Sequence, residues 1–228
     1  ARIALGRLTL RALAGLGCSA LVGWMALAIY YSPVQPPWLR AGLAALVPVG
    51  AAVALLLVRP LWRVLAGILA AFVVVLAAWL AIPPSNERDW QPDVATLAFA
   101  DIRGDQVTVH NVRNAEYRTE TDYTVRLEDR TLDLSRLRSL DIFLIYWGSP
   151  LIAHTIMSWG FEGDQYLAIS IETRKEKGEE YSALRGFFRQ YELVFVVADE
   201  RDVVRLRTNF RGEDVYLYRL DAPPEGAR

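Results

Sequence analysis

The chain has 228 residues, 53% of them hydrophobic, and a formal net charge of −1. That near-neutral total conceals a segregation: residues 1–85 carry six arginines and no Asp, Glu or Lys, whereas residues 86–228 carry 19 basic against 26 acidic side chains. A net of −7 on the second part argues against nucleic acid as a partner, because binding a phosphate backbone needs an excess of Lys and Arg. Cys18 is the one cysteine, so a disulfide framework is excluded.

Three uncharged stretches come first: Ala12 to Tyr31, Ala41 to Val58, and Val64 to Ile82. A helix rises about 1.5 Å per residue, so roughly 20 apolar residues cross a hydrocarbon core of about 30 Å. Each stretch lacks the polar stripe of a soluble helix, and three transmembrane helices are predicted. Tyr30, Tyr31, Trp38, Trp62 and Trp79 fall near their ends, where aromatic rings favour the interface; Trp24 lies deeper. Arg2, Arg7 and Arg11 place the amino end in the cytoplasm, and Arg59 and Arg63 keep the second loop there too. Arg40 dissents, but it can snorkel to an interface. Three spans that start inside end outside, so the rest of the chain is expected to be periplasmic. Cys18, in Leu16-Gly17-Cys18-Ser19, hints at a lipoprotein acylation site, but Gly15 stands where a larger apolar residue is expected, and a small buried membrane residue is the alternative.

Pro83-Pro84 ends the third helix, which divides the chain into a membrane region, 1–85, and an outer domain, 86–228. Alternating apolar and polar residues predict strands at Gln106 to Val112, Tyr123 to Leu127, Asp141 to Trp147, Ile152 to Phe161, Tyr166 to Thr173, Leu193 to Ala198, Val203 to Thr208 and Asp214 to Leu220. One helix is expected at Ser182 to Glu192, with Leu184, Phe187, Phe188 and Tyr191 on one face. Antiparallel strands with a helix on one side make an α+β domain with a mostly antiparallel sheet.

Two histidines bear on chemistry. His110 alternates with Val107 and Val109 and reads as a half-exposed strand residue. His154 is flanked by apolar residues in Leu151-Ile152-Ala153-His154-Thr155-Ile156, where an imidazole needs a partner. Catalysis and a satisfied core histidine both fit that pattern. If Glu162-Gly163-Asp164 is a three-residue hairpin turn, His154 faces Glu172, which would orient the ring; a two-residue turn puts Thr173 there instead. An ion pair of Glu172 with Arg174 or Arg185 is the competing use of that carboxylate. The sequence has no metal-ligand spacing, phosphate loop or G-x-S-x-G elbow, and no cofactor or metal is expected.

The runs Tyr146-Trp147-Gly148-Ser149-Pro150 through His154-Thr155, Ser170-Ile171-Glu172-Thr173-Arg174-Lys175-Glu176-Lys177-Gly178, and Arg185-Gly186-Phe187-Phe188-Arg189-Gln190-Tyr191-Glu192-Leu193 resemble the bacterial Lnb N-terminal periplasmic domain family, from about Pro83 to Leu220. The resemblance implies a permuted papain-like fold and a lipoprotein N-acyltransferase activity at the inner membrane. On it, His154 matches the family histidine, and Glu172 and Arg174 match its second polar strand. These three are the candidate catalytic residues.

The family cysteine, in an Asn-Cys-Thr-Thr-like motif, is expected downstream of Leu220, and Asp221 to Arg228 contain none. The outer domain is therefore expected to be incomplete at its carboxyl end, with its nucleophile supplied from elsewhere. The reading that follows is a membrane-anchored cysteine-type acyltransferase of the cell envelope, with a phospholipid acyl donor and a lipoprotein acceptor as partners. A cell-wall amidase or peptidase on the same machinery, and a non-enzymatic envelope binding module, are the alternatives. The oligomeric state is not legible in the sequence.

Overall fold

The computed structural model describes residues 2–221, with side chains described for residue 13 and residues 15–220. It contains two compact units: residues 1–86 together with 181–190, and residues 87–180 together with 191–228.

The first unit holds α1 (Arg2–Tyr30), α2 (Pro37–Leu57) and α3 (Leu61–Leu80). Proline opens α2 at a position whose amide has no helical partner in any case. Two helices, α2 and α3, are long and apolar enough to cross a membrane, with mean hydropathies of 2.0 and 2.4. The apolar described part of α1, Gly15–Tyr30, is shorter than either. The helices share a small core of Met25, Val64 and Ile68 with Trp24 and Phe72 against it. Trp24, too deep for an interface, stands edge-on to Phe72 at 5.3 Å and to Trp79 at 5.7 Å, so its depth serves packing between helices. Leu46, Val49, Leu56, Val73 and Val74 remain exposed, as lipid-facing side chains are.

The same unit includes α4 (Ala183–Phe187). This helix was expected to run to Glu192, but it stops five residues earlier. Ser182 caps it by accepting from the Arg185 amide, Arg189 turns left-handed at φ 58°, and Glu192 already starts a strand. Gly186 weakens a helix this short, and burial of Phe188 decides where the chain goes next.

The second unit is built on an eight-stranded sheet. Its strands are β1 (Phe99–Arg103), β2 (Gln106–Arg113), β5 (Leu127–Asp133), β6 (Leu137–Tyr146), β7 (Ala153–Phe161), β8 (Gln165–Arg174), β9 (Glu192–Ala198) and β10 (Asp214–Asp221). The order is β1-β2-β9-β8-β7-β6-β10, with β5 paired to β2; β3 (Glu116–Tyr117) and β4 (Tyr123–Thr124) make a separate two-stranded ribbon. Every pairing is antiparallel except the short contact of β2 with β9. The mostly antiparallel sheet is thus as expected; β1 and all of β5 after Leu127 extend it where no strand was predicted, and the strand expected at Tyr123 to Leu127 is broken between β4 and the start of β5.

Because strand side chains alternate, one face of β6 to β9 carries Phe143, Ile145, Ile156, Ala168, Val194 and Val196 into a single core. Ile145 and Ile156 are fully buried at its centre. The same alternation brings Asp141, Ser158, Ser170, Glu172 and His154 to that face.

Val203–Thr208 was expected as a strand and is helical: α5 (Glu200–Arg205) continues into a π-helical turn, Leu206–Phe210. Asp199 caps α5 by accepting from the Arg201 amide, and Glu200 and Asp202 favour its positive end. The decisive contact is tertiary. Asp202, fully buried, takes a two-pronged ion pair from Arg113 on β2, at 2.9 and 2.8 Å, and accepts from the Ala115 amide at 2.7 Å. A strand could not have turned that carboxylate inward together with Val203, which joins the core.

Candidate active site

β7 and β8 form a hairpin whose register follows the three-residue turn: Phe161 pairs with Gln165 and Ile156 with Ser170. Gly163 and Asp164 both have positive φ, at 81° and 56°, which glycine and aspartate tolerate in tight turns. The two-residue alternative, which would have opposed His154 to Thr173, is excluded. His154 and Glu172 therefore share a face.

The side chains meet. His154 Nε2 lies 2.7 Å from Ser170 Oγ and 3.0 Å from Glu172 Oε1. Ser170 Oγ donates to the same carboxylate oxygen at 2.9 Å. A hydroxyl has one proton, so with the Ser170 proton on Glu172 the hydrogen shared with His154 belongs to Nε2. In the neutral ring that tautomer leaves the lone pair on Nδ1, and among the described residues Nδ1 has no hydrogen-bond partner. The free nitrogen can then act as a base toward a group outside the cluster. Trp147 stands edge-on to the ring at 6.3 Å and restricts its rotation.

Ser170 itself is no nucleophile in this arrangement. It is 1% exposed, its proton is committed to Glu172, and its lone pair faces an N–H. It acts as a spacer that ties the carboxylate to the imidazole.

Glu172 is held from its other side by Arg207, which donates from Nη2 to both carboxylate oxygens at 2.9 and 3.2 Å. Arg207 in turn donates from Nη1 to Glu213 at 3.2 Å and is itself buried. The ion pairs of Glu172 with Arg174 or Arg185 that the sequence allowed give way to this one. Burial pushes the Glu172 carboxyl up, but the His154 hydrogen bond, the Arg207 and His154 charges and the Ser170 hydroxyl outweigh it and hold the group at about 2.

A carboxyl depressed in the folded state contributes stability above its unfolded pKa, and that contribution disappears as pH falls through the folded one. Between the ordinary value of 4.5 and about 2, the cluster should therefore lose its ion-pair support. Acid titration of the unfolding midpoint checks this: Glu172→Gln should flatten the loss over that window, and an unchanged slope would detach Glu172 from the acid limb.

Arg174 takes a different place. It is 3% exposed, donates from Nε to the Val94 carbonyl and from Nη2 to the Ala95 carbonyl, each at 2.9 Å, and lies over the Trp90 ring at 4.2 Å. Its described contacts fasten the segment before β1 to β8 and do not reach His154. Sequence reasoning missed Ser170, Arg207 and Glu213. Ser170 could have been found from strand parity with Glu172; Arg207 could not, since its position depends on the helical course of 200–210.

His110 sits on β2 between Asp129, 2.8 Å from Nδ1, and Asp101, 3.2 Å from Nε2, and stacks on Phe99. The Asp129 hydrogen bond, with that of Asp101 and the charges of both carboxylates, outweighs the opposing effect of burial and raises its pKa, so the ring is a half-exposed ion-pair partner on the strand. Among the described residues, no group of three or more His, Cys, Asp or Glu side chains is placed to hold a metal ion.

Comparison with known proteins adds one match. Residues 123–228 match the family described as Lnb N-terminal periplasmic domain. The match covers β4 to the end of the chain, including His154, Ser170, Glu172, Arg207 and Glu213, and begins later than the resemblance to Pro83 suggested. No curated protein and no solved structure matches the chain. A periplasmic-type domain on a chain with two helices able to cross a membrane makes this an envelope-associated protein. The likeness to the Lnb N-terminal periplasmic domain family rests on residues 123–228, a little under half of the chain.

Proposed function

We propose that the protein serves a Cys/His-type acyl transfer in the bacterial envelope, from a phospholipid donor to the amine of a lipoprotein. The observation that carries this reading is the orientation of His154: Nε2 is tied to Ser170 and Glu172, and Nδ1 is left as the proton-accepting nitrogen. Such a base withdraws a thiol proton, the thiolate attacks the donor ester, and the resulting imidazolium returns the proton to the departing alcohol. In the second half the amine attacks the thioester, His154 takes its proton, and the thiolate leaves. Glu172 is the positioning carboxylate, and Arg207 keeps it ionised.

A lipid donor suits the surroundings of the ring. Trp147, Leu151 and Ile152, on the loop that leads into β7, are 43%, 90% and 66% exposed, an apolar rim in the same stretch of chain as His154. A permuted papain-like arrangement belongs to the same reading, supported by a histidine strand that precedes its carboxylate strand in one antiparallel sheet.

In this reading α1 is a third span, with the amino end cytoplasmic and the domain of residues 87–228 periplasmic. The support is Arg59 in the loop between α2 and α3 and Arg63 in the first turn of α3, together with the uncharged first loop. A reporter fused after Leu220 should be active only when periplasmic; activity of a cytoplasmic reporter there would overturn the orientation. On that topology Cys18 lies near the cytoplasmic end of its helix, so the thiol is expected from outside residues 1–228.

The test is transfer itself. The full-length protein in vesicles, given a phospholipid labelled in its acyl chain and a diacylated lipopeptide with a free amine, should yield the labelled amide. Cys18→Ser should not change the yield. Binding of the donor without any transfer would favour the non-enzymatic envelope module.

A further inference from the structure

Residues 181–190 interrupt the second unit between β8 and β9, yet they pack with the helices. Phe188 is 2% exposed and stacks on Tyr31, the residue after α1, with ring centroids 5.5 Å apart and planes at 17°. Arg189 lies over the Trp79 ring at 4.3 Å and donates from Nη1 to the carbonyls of Trp79 and Leu80 at 3.2 and 3.3 Å. Gln190 Nε2 donates to the Tyr31 carbonyl.

The Leu80 and Tyr31 carbonyls are helix-end acceptors of the kind that lipid cannot satisfy, while the Trp79 carbonyl also accepts from the Ile82 amide. The segment is thereby fixed at the ends of α1 and α3, at one limit of the apolar spans. What it leaves outward is apolar: Tyr181, Leu184 and Phe187 are 57%, 47% and 62% exposed. It carries Arg185 and Arg189 and no acidic residue, a composition that favours anionic headgroups.

We propose that residues 181–190 form an interfacial membrane anchor, seated in the phospholipid headgroup layer with Leu184 and Phe187 dipping into the acyl boundary, roughly 5–10 Å deep as for other interfacial elements. The proposal rests on α3 crossing the membrane and is independent of acyl transfer. The occupant is lipid because the segment is continuous with the end of a helix of membrane length, where an aqueous loop would gain nothing from exposing Phe187.

The test uses the full chain in the Cys18→Ser background, reconstituted in phosphatidylcholine–phosphatidylglycerol vesicles, with an environment-sensitive dye on Phe187→Cys. A second variant, Val73→Cys on the exposed side of α3, reports the span itself. The Phe187→Cys dye should emit to the blue of the dye in water and be quenched by lipids with a shallow nitroxide more than by aqueous iodide. The Val73→Cys dye should respond to the deep nitroxide. Quenching at Phe187→Cys by iodide alone, with Val73→Cys still quenched by the deep nitroxide, overturns the anchor and leaves the membrane reading standing. Loss of the deep response at Val73→Cys overturns both.

Discussion

In the full-length protein, His154→Ala should lower acyl transfer by ~10² to 10⁴, the usual range for removing a positioned general base. The ring contributes little to the fold on its own. It lies at the end of β7 beyond the last described β7–β8 pair, and removing it leaves the pairing of Glu172 with Arg207 intact. Circular dichroism and membrane insertion should therefore match the unaltered protein while the rate collapses. Added imidazole should restore part of the rate, because the missing group is a diffusible base and its pocket is bounded by Trp147, Ser170 and Glu172. Glu172→Gln should cost less, since Ser170 still holds Nε2, and its cost should shift the pH profile as well as the maximum. A His154→Ala variant with undiminished transfer would assign the chemistry to other residues.

Asp202→Ala should destabilise the sheet unit by about 3–5 kcal/mol, the range for removing one partner of a buried ion pair. Arg113 is 7% exposed and Asp202 0%, so the truncation leaves a guanidinium in the interior with only the Asp93 carbonyl, at 2.9 Å, and the Asp93 carboxylate to meet it. It also strips the Ala115 amide of its acceptor. In the unaltered protein burial lowers the Arg113 pKa, and the Asp202, Tyr117 and Asp93 charges with the Asp202 hydrogen bond together outweigh it; without Asp202 the guanidinium still does not escape by losing its proton, because arginine stays protonated in proteins. Against a typical domain stability of 5–15 kcal/mol this is a large fraction. The urea midpoint should fall with an unchanged slope, and Arg113→Met combined with Asp202→Leu should recover most of the loss, because apolar replacement of both partners removes the desolvation cost. A midpoint lowered by less than about 1 kcal/mol would mean the pair is solvated and cannot be what turns residues 200–205 into a helix.

The two effects are linked through the chain. Asp202 fixes α5, α5 runs directly into the π-helical turn, and that turn carries Arg207 to Glu172. Wider helical turns of this kind recur at functional sites because they re-aim a side chain. Asp202→Ala is therefore expected to loosen Glu172 as well as the core, and residual transfer in that variant should show the pH shift of Glu172→Gln.

Much was legible in the sequence because the relevant physics is local. The spans followed from length and the absence of charge, and α2 and α3 have that character in the structure. Strands β2, β6, β7, β8, β9 and β10 followed from alternation, since one face of each is buried and the other is not. The pairing of His154 with Glu172 was one of two registers that the turn residues allowed. Gly163 and Asp164 accept the backbone angles of either, and only the packing of Ile156 against its neighbours selects one.

What the sequence could not determine depends on groups far apart in the chain. The helix of 200–205 carries an apolar pattern short enough to read as a strand, and its state is set by an ion pair with a residue 89 positions away. Residues 181–190 read as part of the outer domain because charge and hydropathy change at residue 86, yet they pack with the helices, where Arg189 and Gln190 donate to carbonyls at the ends of α1 and α3. Arg174 stands on the same strand as Glu172, whereas Arg207 is 35 positions away in the chain, so sequence proximity favours the wrong cation. Tertiary structure alone assigns Arg174 to the backbone of residues 94 and 95 and Arg207 to Glu172, because a guanidinium bonds whichever acceptors the fold brings within its reach.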